Sequence, residues 1–354
     1  MYPQIDINVK NIIENAKVAK KLCKDNGISL SVVTKVLSGN KEVLKALIDA
    51  GIDSICESRI ENLISYKDFN VEKWLIRIPM QAEIPSVIKY ADISLNSELD
   101  TIIKLDEEAG KQGKKHKIVI MYELGDLREG CMYEELEKVV EESLKLKNII
   151  VYGIGVNLSC YGSILPSDQN MKELEDVVLK LQDKFNYKFK VVSGGNSTSY
   201  KMLQEGRIPK TINHLRLGES IFFGNIPCYD EPISNMYQYN FVLKAQIVEL
   251  KRKPSVPWGD SSELNSNGDK IEYIDKGMRK RAIVAIGRQD VRVEQIVPKD
   301  SKVEILDGSS DHLILDVTES SIPYKVGDIV EFRLNYSSVL SLMTSNYVKR
   351  NNIK

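Results

Sequence analysis

Eight short apolar runs, each followed by an amphipathic stretch, recur across this chain, and that alternation restricts its architecture more than any other feature. The apolar runs predict strands at 29–37, 53–56, 74–78, 91–95, 117–124, 149–158, 189–193 and 213–217. Helical spacing fills the gaps near 40–50, 58–67, 81–90, 97–111, 132–146, 168–186 and 197–206. An opening helix is marked by Val9, Ile12, Ile13, Ala16, Ala19 and Cys23 and closed by Gly27. Strands that alternate with helices this regularly predict a (β/α)8 TIM barrel, class α/β. A doubly wound open sheet would use the same elements, but no G-x-G-x-x-G follows the first strand to make a dinucleotide site.

The pattern changes near Pro227. Period-2 runs then dominate (Phe241–Leu250, Arg281–Ile286, Lys302–Leu306, His312–Val317, Ile329–Leu334), separated by Gly, Pro, Asn and Asp. The segment Ser255–Asp269 reads as an exposed loop. The expected organisation is a barrel over 10–228 and a C-terminal β-rich domain over 229–354, joined by a strand from residues 1–9. The opening strand Gln4–Val9 has no place in a barrel and is free to pair with that domain.

Charge excludes several function classes. Lys+Arg and Asp+Glu nearly cancel, 49 against 50, so there is no basic footprint for nucleic acid or an anionic membrane. The start Met1-Tyr2-Pro3-Gln4-Ile5-Asp6 lacks the basic and apolar regions of a signal peptide, and no apolar run is long enough to span a bilayer. Five scattered cysteines (Cys23, Cys56, Cys131, Cys160, Cys228) never form C-x-x-C and read as reduced thiols. The three histidines are too far apart in sequence to suggest a metal cluster, and His116, within Lys114-Lys115-His116-Lys117, reads as solvated. A cytoplasmic location is expected, with no metal.

Against this ordinary background, Lys35 stands out. It ends the apolar run Ser29-Leu30-Ser31-Val32-Val33-Thr34 and is followed shortly by Gly39. Burying an ammonium is costly, so such a lysine either snorkels to water or has a depressed pKa. In the second case it can condense with an aldehyde. Chemistry in a barrel of this class collects where the strands run out, and those ends carry more than Lys35. Strand five leads to Glu123-Leu124-Gly125-Asp126-Leu127-Arg128, strand six to Gly155-Val156-Asn157, strand seven to Gly194-Gly195-Asn196-Ser197-Thr198, and strand eight to Arg216-Leu217-Gly218-Glu219. Asn196-Ser197-Thr198 opens a helix and fits a phosphate, though an ordinary helix cap would look the same. Arg216 with Gly218 is a second anion candidate, and Asn157 fits a core amide equally well.

Together these residues resemble the fold-type III enzymes that use pyridoxal phosphate (PLP), the alanine racemase-like family, and within it the ornithine racemase branch. The likeness runs from Val33-Thr34-Lys35 through Arg128, Asn157, Asn196-Ser197 and Leu215-Arg216-Leu217-Gly218. It continues into Ile286-Gly287-Arg288-Gln289-Asp290-Val291, Gly308-Ser309-Ser310-Asp311-His312 and Leu334-Asn335-Tyr336. The resemblance implies PLP as cofactor, with Lys35 as its Schiff-base lysine and as the base on one face of Cα. Arg216 would face the pyridine nitrogen, Arg128 the phenolic oxygen and Asn157 the ring. Asn196, Ser197, Thr198, Tyr336 and the amides around Gly218 and Glu219 would surround the phosphate.

The implied activity is racemisation at Cα of a basic amino acid, ornithine or lysine, by a homodimer with shared active sites. Asp290, Asp311 and Glu219 are the acidic candidates for a cationic side chain. Alanine racemase proper and a non-catalytic PLP-binding protein are the alternatives. Two departures stand out. Asn157 occupies a histidine position of alanine racemases. Their second base, a tyrosine in V-x-Y-G, aligns with Trp258 of Val256-Pro257-Trp258-Gly259, and an indole cannot accept the proton. Tyr273, Asp290 and Asp311 are the remaining candidates for that base.

Overall fold

The structure, a computed structural model, describes residues 1–229, 231–260 and 273–353. The chain forms two compact units. One is built from 8–240, the other from 1–7 together with 241–353.

The first unit begins as β1 (Gln4–Asn8) gives way to α1 (Val9–Asp25), whose first turn is capped by Asn8 Oδ1 accepting from the Asn11 amide at 3.1 Å. Eight β/α repeats follow. They are β2 (Ser29–Val33), α2 (Lys41–Asp49), β3 (Ser54–Glu57), α3 (Ile60–Ser65), β4 (Glu72–Leu75), α4 (Ile84–Tyr90), β5 (Ile93–Asn96) and α5 (Leu99–Lys111). Then come β6 (His116–Met121), α6 (Tyr133–Leu144), β7 (Ile149–Gly155), α7 (Asp168–Phe185), β8 (Val191–Ser193), α8 (Tyr200–Gln204), β9 (His214–Leu217) and α9 (Glu219–Phe223). All eight strands β2–β9 run parallel, and β9 pairs back on β2 with Arg216 opposite Ser31, which closes the barrel.

Side-chain alternation explains the two layers of packing. Along β6, Ile118 and Ile120 join the apolar layer shared with the helices, while Val119 and Met121 join the smaller cluster inside the barrel with Trp74, Ile93 and Leu95. Each such side chain contributes on the order of 1.5–3 kcal/mol by leaving water.

Two readings are corrected in this unit. The strand expected over 29–37 stops at Val33, because Thr34 turns out of extended geometry (φ −89°, ψ 4°) and Lys35–Leu37 forms a 3-10 turn. His116 is not solvated: it is buried at the start of β6, where Nε2 meets Ser94 Oγ at 2.9 Å and burial pulls its pKa down to about 4. The lysines on either side suggested solvent, but a strand sends alternate residues inward.

Past α9, a short hairpin pairs β10 (Asn225–Ile226) with β11 (Glu231–Pro232). The second unit is an antiparallel sheet in the order β14-β17-β12-β13-β16-β15, formed by β12 (Phe241–Pro254), β13 (Met278–Val284), β14 (Ile296–Pro298), β15 (Glu304–Gly308), β16 (Leu313–Asp316) and β17 (Ile329–Leu334). β1 joins it antiparallel to β12 with Ile5 opposite Leu243, and also pairs with β18 (Lys349–Ile353). Between β17 and β18 lies α10 (Tyr336–Thr344), opened by a reciprocal cap between Asn335 and Ser338. The period-2 reading missed this helix, along with β14 and β18. Of the loop expected over Ser255–Asp269, residues 261–269 lie outside the described residues.

Candidate active site

The C-terminal ends of the barrel strands surround an open-mouthed cavity of about 90 Å³ whose wall includes Lys35, Arg128, Glu129, Asn157, Asn196 and Arg216. Val33, Ile76 and Leu95 supply an apolar side, and Cys160 completes the polar one. Six strand ends therefore converge on one amine.

Lys35 reaches this position because β2 ends at Val33. Thr34 Oγ1 donates to the Glu57 carboxylate at the end of β3, 2.8 Å away, which anchors the turn that follows. Burial pulls the Lys35 pKa below the usual lysine value, and the Arg128 charge pulls the same way. Cys160, Glu219 and Glu57 oppose them. A lysine in this state has more of its amine neutral and nucleophilic than one in water.

Arg216 is fully buried on β9. Its Nη1 donates to Ser193 Oγ at 2.5 Å and its Nη2 to the Val156 carbonyl at 2.8 Å, both neutral oxygens. Burial lowers its pKa, yet a guanidinium stays protonated in proteins, so this wall of the cavity carries a fixed positive charge. Gly218 comes just after β9, and a Cβ there would stand 2.9 Å from Val33 Cβ, so glycine lets the chain leaving β9 pass this close to β2.

The two asparagines link neighbouring strand ends. Asn196 Nδ2 donates to Asn157 Oδ1 at 3.0 Å and to the Leu158 carbonyl at 2.7 Å, while its Oδ1 accepts from the amide and hydroxyl of Thr198. Asn157 Nδ2 in turn donates to Glu129 Oε1 at 3.3 Å. Ser197 Oγ accepts from the amides of Gly218 and Ser220 at 3.1 and 3.2 Å, so a hydroxyl oxygen sits where those two N–H groups converge. Glu219 is half-buried, and burial raises its carboxyl pKa to about 7 against the opposing pull of Lys35.

Lys35, Arg128, Asn157, Asn196, Ser197, Thr198, Arg216, Gly218 and Glu219 thus all belong to the barrel, with Lys35, Arg128, Asn157, Asn196 and Arg216 on one cavity wall. Tyr336, Asp290 and Asp311 belong to the other unit. There Tyr336 opens α10, Asp290 accepts from Ser345 Oγ at 2.6 Å, and Asp311 accepts from Ser310 Oγ at 2.9 Å. In the same unit Trp258 is 84% exposed and Tyr273 52%.

Sequence reasoning passed over Glu57, Glu129, Cys160 and Asp126. Glu57 has no exposed surface, also accepts from Asn62 Nδ2 at 3.0 Å, and its pKa is raised to about 7 by burial. Asp126 is buried and accepts from the amides of Cys160 and Tyr161 at 3.0 Å each, tying the loop after β6 to the loop after β7. A charged residue at a strand end was the available signal for Glu57, the same one that singled out Lys35.

The donor set fits a phosphorylated aromatic aldehyde: an amine with a lowered pKa, a buried guanidinium bonded to neutral oxygens, and amides and hydroxyls gathered at Ser197. Comparison with known proteins agrees. Residues 7–226 match the family described as alanine racemase, N-terminal domain. Over 351 residues the chain is 45% identical to the ornithine racemase of Acetoanaerobium sticklandii, covering 99% of each. Over 352 residues it is 38% identical to the lysine racemase of Thermotoga maritima, covering 99% of this chain and 98% of that one. In fold it is similar to alanine racemase from Bartonella henselae with covalently bound pyridoxal phosphate, at a TM-score of 0.75, 18% identity and 100% coverage of both chains. With its barrel matched and both racemases aligned from end to end, this chain belongs to the alanine racemase family.

Proposed function

We propose that the protein is a PLP-dependent racemase of a basic amino acid, ornithine or lysine, working as a homodimer with shared active sites. The observation that carries this reading is the placement of Lys35 with a depressed pKa in one cavity with Arg216, Asn157 and Asn196. When bound, PLP supplies an electron-accepting ring that acidifies the Cα hydrogen of an attached amino acid.

The chain's own residues do the rest. Lys35 holds the coenzyme and then moves a proton at one face of Cα. Arg216 would face the ring nitrogen and, because a guanidinium does not readily yield its proton, would leave that nitrogen unprotonated. Arg128 would serve the phenolic oxygen and Asn157 would lie beside the ring. Ser197, Thr198, Asn196 and the amides around Gly218 and Glu219 would serve the phosphate. Among the cavity-lining residues Glu129 is the one carboxylate, which suits a cationic substrate side chain.

The test is incubation of the purified protein with PLP and L-ornithine, L-lysine or L-alanine in heavy water. D-enantiomer with deuterium at Cα should form from ornithine or lysine in preference to alanine. Absence of Cα deuterium with every substrate would overturn the reading.

A further inference from the structure

We propose that His214 is a positioning residue for Arg216, fixed in one neutral tautomer by a one-way hydrogen-bond chain through the barrel interior. The starting point is an elementary constraint: a guanidinium only donates. Ser193 Oγ therefore accepts from Arg216 Nη1, and its own hydrogen is left for its other neighbour, His214 Nδ1, at 2.9 Å. With Nδ1 accepting, the single ring proton of a neutral imidazole sits on Nε2, which meets Ser31 Oγ at 2.8 Å. The Ser31 hydroxyl then passes its hydrogen to Ser54 Oγ at 2.6 Å.

The ring is also held flat. It stacks on Trp74 with centroids 4.5 Å apart and planes 6° from parallel. A second proton on the ring would turn Nδ1 into a donor, leave the Ser193 hydrogen without an acceptor and set a cation beside Arg216. In keeping with this, burial and the Arg216 charge bring the His214 pKa down to about 3.

Ser31, Ser54, Trp74 and His214 line a separate cavity of about 540 Å³, together with Gly27 and Asp53 from the starts of the strands. The chain thus links the opposite end of the barrel to the guanidinium at the coenzyme wall. Its effect is to orient the Ser193 lone pair that holds Nη1. Without the imidazole acceptor, the Ser193 hydroxyl is free to rotate and Nη1 loses its fixed acceptor direction, which leaves the Val156 carbonyl on Nη2 to hold the guanidinium.

The inference rests on the reading that Arg216 faces the coenzyme ring, and the test separates the two. Full-length protein carrying 15N-labelled histidine has three rings to assign, and the His214 signals are those lost in His214→Gln. The expected result is an unprotonated Nδ1 and a protonated Nε2 that do not titrate between about pH 6 and 9. A protonated Nδ1, or titration in that range, would overturn the proposal. With PLP added, His214→Phe keeps an aromatic ring against Trp74 but offers no acceptor. It should shift the visible absorbance band of the bound coenzyme and weaken coenzyme affinity about tenfold. His214→Gln, whose amide can accept and donate, should restore part of both. A Phe variant with wild-type band and affinity, or a Gln variant no better than Phe, would overturn it. Because the tautomer is read without coenzyme, a protein that took up no PLP would contradict the proposed function while the NMR result still decided the chain.

Discussion

Arg128 is gripped by the residue that follows it: its Nε and Nη2 both donate to the Glu129 carboxylate, which also receives Asn157 Nδ2. The guanidinium is 43% exposed and the carboxylate 15%, so the pair sits at the rim of the cavity with its acidic half turned inward.

That geometry separates binding from stability. A partly exposed ion pair contributes about 0–1 kcal/mol to folding, so Glu129→Gln should move Tm by no more than about 4 °C. Removing the cavity's carboxylate should instead raise KM for a basic amino acid about tenfold, the loss of a hydrogen bond to a charged group. Calorimetry and steady-state kinetics on one preparation check both. A large fall in Tm with unchanged KM would show that the pair is structural.

Lys35→Ala should abolish the coenzyme linkage that borohydride reduces, and racemisation with it. The side chain is half-buried and sits in the 3-10 turn beyond β2, so the unfolding midpoint should stay near wild type. Mass spectrometry of the reduced protein checks the linkage site. Coenzyme attached at another lysine in the variant would remove Lys35 from its assigned role.

Glu57 sets a pH dependence of stability. Its carboxyl is raised to about 7 in the folded chain, against about 4.3 when unfolded. The folded state therefore holds a proton that the unfolded state releases over that interval. The resulting contribution is complete below about pH 4.3, falls as pH rises, and is gone once pH passes the folded value. Glu57→Gln cannot ionise, so its stability relative to wild type should improve from pH 5 to pH 8, by on the order of 2–3 kcal/mol. Urea unfolding at the two pH values measures this, and an unchanged difference would refute it.

Thiol reactivity should sort the cysteines. Cys23, Cys56 and Cys131 are buried with pKa values pushed up to about 12, whereas Cys160 and Cys228 are exposed. A thiol reagent should label those two first, and PLP should protect Cys160, which lines the cavity, more than Cys228. Peptide mapping decides it. Equal labelling of all five would contradict the burial pattern.

The barrel was legible in the sequence because parallel strands and their covering helices impose two different periods, and those periods alternate along the chain. The ends of the elements were less so. Thr34 belongs to an apolar run, and only its bond to Glu57, from the next strand, shows why β2 stops one residue earlier. In the second unit α10 was missed because Val339, Leu340, Leu342 and Met343 read as apolar without announcing a helix, while the cap at Asn335 is visible only in three dimensions.

Sequence alone singled out a lysine, an arginine and two asparagines at successive strand ends, where a barrel brings strand ends together, as candidates for the chemistry. Tertiary structure decided their state. Lys35 is shifted by burial and by charges from Arg128, Glu219 and Glu57, and Arg216 is held through Ser193 by a histidine that stacks on Trp74 from another strand. Protonation and orientation depend on desolvation and on partners distant in sequence, and neither quantity exists until the barrel has closed.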